Sequence, residues 1–353
     1  MQLENPSAIV PDVLAYLLGS QIVPQGFDPQ NPIGCGPFKL VSYTPGKETV
    51  LERFPNYHGP GPYVDRLELL QFPEPTPMVN ALLSGQVDAA EQLPPAQVKV
   101  VEGTSGMKTV ASPPSFWKGF YMRLDSPQFK DQRVREAMRL LINRQEIVDQ
   151  AFGGFGKIGN DIYSIYDPGY NHELPQREQD VEQAISLLKQ AGMDKEKFEI
   201  SASAVSAGLV EMSQVFSQQA REAGVDLSVK TIPVGSYYNN YPTGYAMSIT
   251  NWSMIPYLIE FASSEAPGAI YAETGVNDPQ LNRLYAEAIG EMDEGKRNEL
   301  IGAMQKIEWE SGGYINPSFT QAADGMKSNV EGLVPDKSGN NLRTWHLKYA
   351  WLA

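Results

Sequence analysis

The chain has 353 residues with a formal net charge of −14, and 42 % of its residues are hydrophobic. This composition is typical of a globular protein of about two domains, and its acidity argues against binding nucleic acid or an anionic membrane by bulk electrostatics. The single cysteine, Cys35, excludes an internal disulfide. No apolar run reaches about 18 residues, so the sequence predicts no transmembrane helix.

The first third of the chain predicts one helix and then a group of strands. Apolar residues between positions 8 and 23 indicate a short helix. The glycine- and proline-rich segment Asn31–Leu40 opens a strand, which predicts a hairpin with the alternating segment Thr49–Phe54. Leu67–Phe72 predicts another strand, and residues 76–84 predict a helix that ends at a glycine.

The remaining chain alternates predicted strands and helices. Phe116–Leu124 reads as an aromatic strand, and Asp131 caps the helix that follows it. Beyond residue 160 the alternation of the two element types indicates an α/β arrangement. From there the predicted helices cover 181–191, 209–223, 279–292 and 296–310, and the predicted strands cover 198–202, 226–232, 247–252 and 314–319.

Catalytic and metal-binding motifs are weak in this sequence. Gly154–Gly159 fits G-x-G-x-x-G, but it follows a helix, whereas a dinucleotide site needs this turn between a strand and a helix. The three histidines, His58, His172 and His346, have no metal-ligand spacing. There is no nucleophile elbow and no phosphate-binding lysine loop. The sequence therefore predicts no enzyme, no cofactor and no metal site, with a hydrolase as the opposing alternative.

Five segments in the same order resemble one protein family. The first, Asn31–Leu40, reads NPIGCGPFKL where the family reads roughly NPVGTGPFKL. The family is that of the extracytoplasmic solute-binding proteins of bacterial ABC importers, family 5, of the oligopeptide, dipeptide and nickel-binding type. The resemblance covers nearly all of the chain. Its other segments are Phe129–Met138, Ala220–Val229, Asp278–Leu281 and Lys296–Arg297.

The resemblance implies an α/β fold of two lobes, the type II periplasmic-binding-protein fold (cluster C). It places residues 1–119 and 317–353 in a first lobe and residues 120–316 in a second lobe. The first motif occurs much earlier here than in the family, and the N-terminal residues contain no secretion signal. We therefore expect a chain shortened at its N-terminus, with an incomplete first lobe.

The functional expectation is the solute-binding component of an ABC import system. Such a protein holds a small solute, an oligosaccharide, glycoside or peptide, in a cleft between its lobes and passes it to a membrane permease. The resemblance implies a monomer that is periplasmic or anchored at the cell surface as a lipoprotein, and it implies no nucleic-acid partner. A fragment that binds no ligand is an alternative.

The end of the strand at 247–252 is the best candidate site, because ligands of α/β sheets bind beyond carboxyl strand ends. In peptide-binding relatives an aspartate there pairs with the ligand ammonium, and Ile255 takes its place here. The loop 203–208 also lacks the arginine that dipeptide binders use for the ligand carboxylate. We expect a solute without strong charge rather than a zwitterionic dipeptide, because an unpaired buried ammonium is costly. The alternative is an oligopeptide binder with displaced anchors, such as Glu260 or Arg123.

Aromatic side chains are the third feature of the candidate site, because their rings suit sugar rings or apolar side chains. Alternate residues of a strand point to opposite faces, so about half of the strand aromatics should lie in the core. The predicted ligand-binding residues are Trp117, Tyr121, Tyr237, Tyr238, Asn251, Trp252, Met254, Ile255 and Tyr257.

Overall fold

The computed structural model describes residues 6–16, 23–338, 342 and 346–353. The chain forms two compact units. Unit 1 comprises Met1–Leu17 and Pro114–Thr320, and unit 2 comprises Leu18–Pro113 and Gln321–Ala353. The predicted lobe boundaries, at 119 and 316, lie a few residues from the points where the chain passes between the two units.

The N-terminal helix belongs to unit 1, whereas the sequence placed it in the first lobe. The Ala8 N–H donates to the Ile289 carbonyl at 2.8 Å, and Ile9 packs against an apolar core of unit 1. The helix itself covers Val10–Tyr16, and its predicted end, near residue 19, lies outside the described residues.

The predicted strands and helices occur in the predicted order, and the structure adds elements that the sequence analysis did not predict. The helices are α1 (Val10–Tyr16), α2 (Pro75–Leu83), α3 (Pro95–Glu102), α4 (Gln132–Leu141), α5 (Arg144–Phe152), α6 (Val181–Gln190), α7 (Leu209–Glu222), α8 (Val234–Tyr237), α9 (Tyr257–Ser264), α10 (Pro279–Gly290) and α11 (Glu294–Ser311). The strands are β1 (Phe38–Thr44), β2 (Glu48–Arg53), β3 (Arg66–Leu70), β4 (Ala89–Ala90), β5 (Met107–Ala111), β6 (Phe116–Met122), β7 (Gly156–Ile158), β8 (Lys197–Ala202), β9 (Asp226–Thr231), β10 (Met247–Trp252), β11 (Tyr314–Thr320), β12 (Ala323–Lys327), β13 (Val330–Glu331) and β14 (Trp351–Leu352). The added elements include α3, β5, α9 and β12.

Unit 1 is built on a six-stranded mixed sheet in the order β7-β11-β6-β10-β8-β9. Strand β10 runs antiparallel to β6 and parallel to β8. Alternation along β6 divides its side chains between two cores. Phe120 and Met122 join a core that includes residues of α4, α5, α6 and α7, while Trp117 and Tyr121 join a core that includes residues of α9, α10 and α11.

Local signals in the sequence fix several element ends. The Asp131 carboxylate accepts from the Arg133 N–H and caps α4, as predicted. The Asp278 carboxylate caps α10 in the same way, with Pro279 in the first helical turn. The segment Gly154–Gly159 follows α5 and contains β7, so a helix precedes the strand here, the reverse of the order in a dinucleotide site.

A buried ionic group joins α5 to the segment that precedes α6. The Asp161 carboxylate lies 2.7 Å from Arg144 Nη2 and 3.2 Å from Arg177 Nη1, and all three side chains are almost fully buried. Arg177 also stacks on the Trp309 ring of α11 at 4.0 Å. Arg177 also pairs with Glu136 at 3.4 Å, so removing the Asp161 carboxylate leaves the buried Arg144 without an acidic partner and Arg177 with Glu136 alone.

The described residues of unit 2 form three small sheets. The predicted hairpin is confirmed as the antiparallel pair β1 and β2, with β3 added at the other edge of β2. A second sheet has the order β4-β12-β5, and β13 pairs with β14. Gly325 of β12 lies against Leu82 and Leu93, so the strand can approach these side chains only without a Cβ atom.

Candidate ligand-binding site

The candidate site lies where β10 ends in unit 1. In the β6–β10 register, Trp252 lies opposite Trp117, and Asn251 lies opposite Lys118. Cross-strand partners share a face of the sheet, so these two pairs occupy opposite faces. Asn251, Trp252 and Met254 are half-buried, and their ligand role stays a prediction.

Five predicted site residues lie in the interior of unit 1. The Trp117 Nε1–H donates to Glu260 Oε1 at 2.6 Å, and the Tyr257 hydroxyl donates to Glu308 Oε2 at 2.8 Å. In this structure these side chains pack in the core with their polar ends satisfied, and their ligand role stays a prediction. The five, each at most 1 % exposed, are Trp117, Tyr121, Tyr237, Ile255 and Tyr257.

Four neighbouring aromatic rings form a surface that we call the aromatic strip: Tyr238, Tyr241, Trp252 and Tyr271. Tyr238 is 61 % and Tyr271 44 % exposed, and the other two are half-buried. Trp252 meets Tyr271 edge to face at 5.6 Å, and Tyr238 meets Tyr241 edge to face at 5.7 Å. Tyr241 and Tyr271 join these pairs at 6.3 Å. Sequence reasoning included Tyr238 and Trp252 but missed the other two.

The carboxylate of Glu273 lies beneath the aromatic strip and is fully buried. It accepts hydrogen bonds from the Tyr241 hydroxyl, from Thr250 Oγ1 at 2.7 Å and from the Tyr314 hydroxyl at 2.6 Å. The Trp252 Nε1–H donates to the same carboxylate at 3.4 Å. Four donors therefore converge on one side chain, which no motif in the sequence indicated.

Unit 1 buries three further glutamates close to these aromatic residues. Desolvation by burial is the largest cause that raises the pKa of each of the four carboxyls. Hydrogen bonds from hydroxyl or indole donors oppose this rise, as the Tyr163 hydroxyl does toward Glu265 at 3.2 Å and Glu308 at 3.1 Å. The four glutamates are Glu260, Glu265, Glu273 and Glu308.

Lys118 supplies a cation on the opposite face of the same strand end. Its Nζ donates to the Ala207 carbonyl at 2.6 Å and lies over the rings of Phe116 and Phe152, at 5.8 and 5.5 Å. Burial lowers the pKa of Lys118 to about 8, although the nearby Glu211 raises it. Ala207 belongs to the loop in which the sequence shows no cation, so the fold brings an ammonium group to that loop.

The two displaced anchors considered from the sequence are engaged inside unit 1. Glu260 is buried and accepts from Trp117 and, at 3.3 Å, from Ser164 Oγ. Arg123 Nη2 donates to Asp125 Oδ2 at 2.5 Å, and its Nη1 donates to the Ala272 carbonyl at 2.8 Å. Neither side chain has the free surface that a ligand anchor needs.

The described residues contain no group of three or more histidine, cysteine, aspartate or glutamate side chains placed to hold a metal ion. Within the same residues, no helix combines the length and the apolar character that crossing a membrane requires.

The fold is that of the type II periplasmic binding proteins. NikA from Brucella suis, solved with Fe(III)-EDTA, aligns with a TM-score of 0.86 at 18 % identity, over 100 % of this chain and 76 % of that one. DppA from Helicobacter pylori, solved with the peptide STSA, aligns with a TM-score of 0.79 at 19 % identity, over 92 % of this chain and 64 % of that one.

The sequence profile of the bacterial extracellular solute-binding proteins, family 5 (middle region), matches residues 1–261, and the chain belongs to this family. The glutathione-binding protein GsiB of Escherichia coli O1:K1 is 22 % identical over 361 residues, covering 95 % of this chain and 69 % of GsiB. Members of the family are periplasmic solute-binding components of ABC importers that work with membrane permeases, and they are transport proteins rather than enzymes.

Proposed function

We propose that unit 1 binds a small organic solute that carries a carboxylate, with Lys118 as the cationic anchor and the aromatic strip as the apolar contact. The observation that carries this proposal is the Lys118 ammonium, half-buried at the end of β10 with the Ala207 carbonyl as its hydrogen-bond acceptor. A carboxylate arriving there would replace the hydration that this charge has partly lost.

The ligand need not carry a free ammonium group. Ile255, which stands where peptide-binding relatives carry an aspartate, is buried and apolar, and its carbonyl accepts from Ser164 Oγ at 2.9 Å. An N-blocked peptide avoids the cost of an unpaired ammonium group. Lys118 and Trp252 of the aromatic strip lie on opposite faces of the sheet at the same strand end, so the proposed ligand would have to reach across that end to contact both.

The names of relatives agree with peptide chemistry. GsiB is named a glutathione-binding protein, and the Helicobacter pylori DppA structure contains the peptide STSA. Family membership supports a membrane permease as the partner, a periplasmic location and a transport role without catalysis for this chain.

A second candidate is an uncharged oligosaccharide or glycoside. The exposed rings of Tyr238 and Tyr271 favour it, because aromatic rings stack well on sugar rings. This candidate needs the aromatic strip but not the Lys118 charge, so the two proposals differ in one residue.

Isothermal titration calorimetry with four probes separates these functions. The probes are N-acetyl-alanyl-tyrosine, its C-terminal amide, unblocked alanyl-tyrosine and phenyl β-glucoside. We expect the N-acetyl acid to bind best and its amide to bind about tenfold more weakly. Lys118→Met should remove this difference, whereas the control Lys230→Met, at an exposed side chain of β9, should preserve it.

Equal binding of the acid and the amide by the wild-type chain would refute the carboxylate proposal. Glucoside binding that Tyr271→Ala abolishes and Lys118→Met preserves would establish the second candidate. Binding of no probe would favour a chain that holds no ligand by itself.

A further inference from the structure

We propose that Glu273 is a positioning residue that fixes Tyr241 and Trp252, the two half-buried rings of the aromatic strip, in the orientation that receives the ligand. This inference rests on the proposed function, because it assigns the strip to ligand contact. Glu273 itself is buried beneath the strip, so it acts through the rings and does not touch the ligand.

The hydrogen bonds divide evenly between the two carboxylate oxygens. Oε1 accepts from the Tyr241 hydroxyl and from Thr250 Oγ1, and Oε2 accepts from the Tyr314 hydroxyl and from Trp252 Nε1. An ionised carboxylate offers about four lone-pair positions, so these four donors use its full capacity. One side chain therefore joins β10, β11 and the segment that contains Tyr241.

Only an acceptor can hold the Trp252 ring through its Nε1–H, because an indole nitrogen donates and does not accept. Rotation of either ring out of its present orientation would break its bond to Glu273 and leave one carboxylate oxygen with a single donor in place of two. The carboxylate thus restricts the rings more than apolar packing alone would.

Arg123 fixes the backbone at Glu273 through hydrogen bonds to two carbonyl groups. Arg123 Nη1 donates to the Ala272 carbonyl at 2.8 Å and to the Glu273 carbonyl at 3.4 Å. Arg123 is fixed in turn by two bonds to the Asp125 carboxylate. A rigid backbone lets the carboxylate act as a fixed reference point for the rings.

The two positioned rings contact the two exposed rings. Trp252 meets Tyr271 at 5.6 Å, and Tyr241 meets Tyr238 at 5.7 Å. Each exposed ring of the strip therefore contacts a ring that is hydrogen-bonded to Glu273. A change at this one buried position should alter the whole contact surface.

Three variants test the inference. Glu273→Leu removes every acceptor. Glu273→Gln can keep its carbonyl toward Trp252 and turn its amide toward hydroxyls that are able to accept, so it should rescue the rings. Tyr314→Phe is the matched control, because it removes one donor to the same carboxylate without changing the strip.

The first measurement is the indole N–H resonance of Trp252, assigned by its loss in Trp252→Phe. We expect Glu273→Leu to shift it and speed its exchange with water, while Glu273→Gln and Tyr314→Phe leave it protected. The second is the affinity for N-acetyl-alanyl-tyrosine. We expect about a tenfold loss in Glu273→Leu and at most about a threefold loss in the other two variants.

A folded Glu273→Leu variant with an unchanged indole resonance and unchanged affinity would overturn the inference. If that variant fails to fold, Tyr241→Phe decides. Faster flipping of the ring at 241 and weaker binding support the inference, and unchanged binding overturns it. If the wild-type chain binds no probe, the proposed function fails, while the resonance of Trp252 still decides whether Glu273 positions the rings.

Discussion

The lowered pKa of Lys118 predicts that carboxylate binding weakens in mild alkali. Burial lowers the pKa of this ammonium from 10.5 to about 8. The protonated fraction in the free protein is then about 0.9 at pH 7 and about 0.1 at pH 9. Only the protonated form attracts a carboxylate, so affinity for N-acetyl-alanyl-tyrosine should fall about tenfold between these two pH values.

Calorimetric titrations at pH 6, 7, 8 and 9 measure this dependence. We expect nearly constant affinity up to pH 7 and a decline through pH 8. Lys118→Arg is the matched control, because a guanidinium remains charged throughout this range, so its affinity should stay flat. Lys118→Met should bind weakly at every pH. A flat wild-type profile, or the same decline in Lys118→Met, would refute the reasoning.

Three further predictions concern stability. Asp161→Asn should cost about 3 kcal/mol in chemical denaturation, because the buried Arg144 loses its carboxylate partner and Arg177 keeps only Glu136; a cost below about 0.5 kcal/mol would contradict this. Burial raises the pKa of Asp324 from 3.8 to about 6. The protonated Asp324 carboxyl therefore stabilises the fold below pH 3.8, and this stabilisation is lost as pH rises through 6. The free energy of unfolding should change by about 3 kcal/mol over this range, and Asp324→Asn should abolish that change in a pH series. Gly119→Ala should lower the melting temperature, because its Cβ would overlap the Ile315 carbonyl, by an amount equivalent to about 2 kcal/mol. Gly235→Ala, with nothing near its Cβ position, is the control and should melt like the wild type.

Much of the fold follows from local signals in the sequence. The hairpin of β1 and β2, the Asp131 cap and the start of α10 at Pro279 each depend on a few adjacent residues whose backbone preferences are strong. The alternation of strands and helices after residue 160 indicates the α/β class, because each helix must cover a sheet face.

The candidate site depended on contacts that adjacent residues do not specify. Lys118 lies 89 residues from the carbonyl that it meets, and Glu273 lies 21 residues from Trp252 and 41 from Tyr314. Alternation predicted that some aromatic residues of β6 would be buried, but both faces of this sheet are covered. Trp117 and Tyr121 are therefore core residues of unit 1 even though they share the face of Trp252.

Four of the acidic residues that contribute to the formal charge of the chain are glutamates buried inside unit 1. They belong to the 42 acidic residues behind the formal value of −14, yet burial raises the pKa of each. Each of the four therefore binds a proton more readily in the folded chain than a glutamate does at its ordinary pKa. A raised folded-state pKa adds stability at low pH that is lost as pH rises through it. Proton binding by these buried glutamates therefore raises the free energy of unfolding when the surroundings of the chain turn acidic.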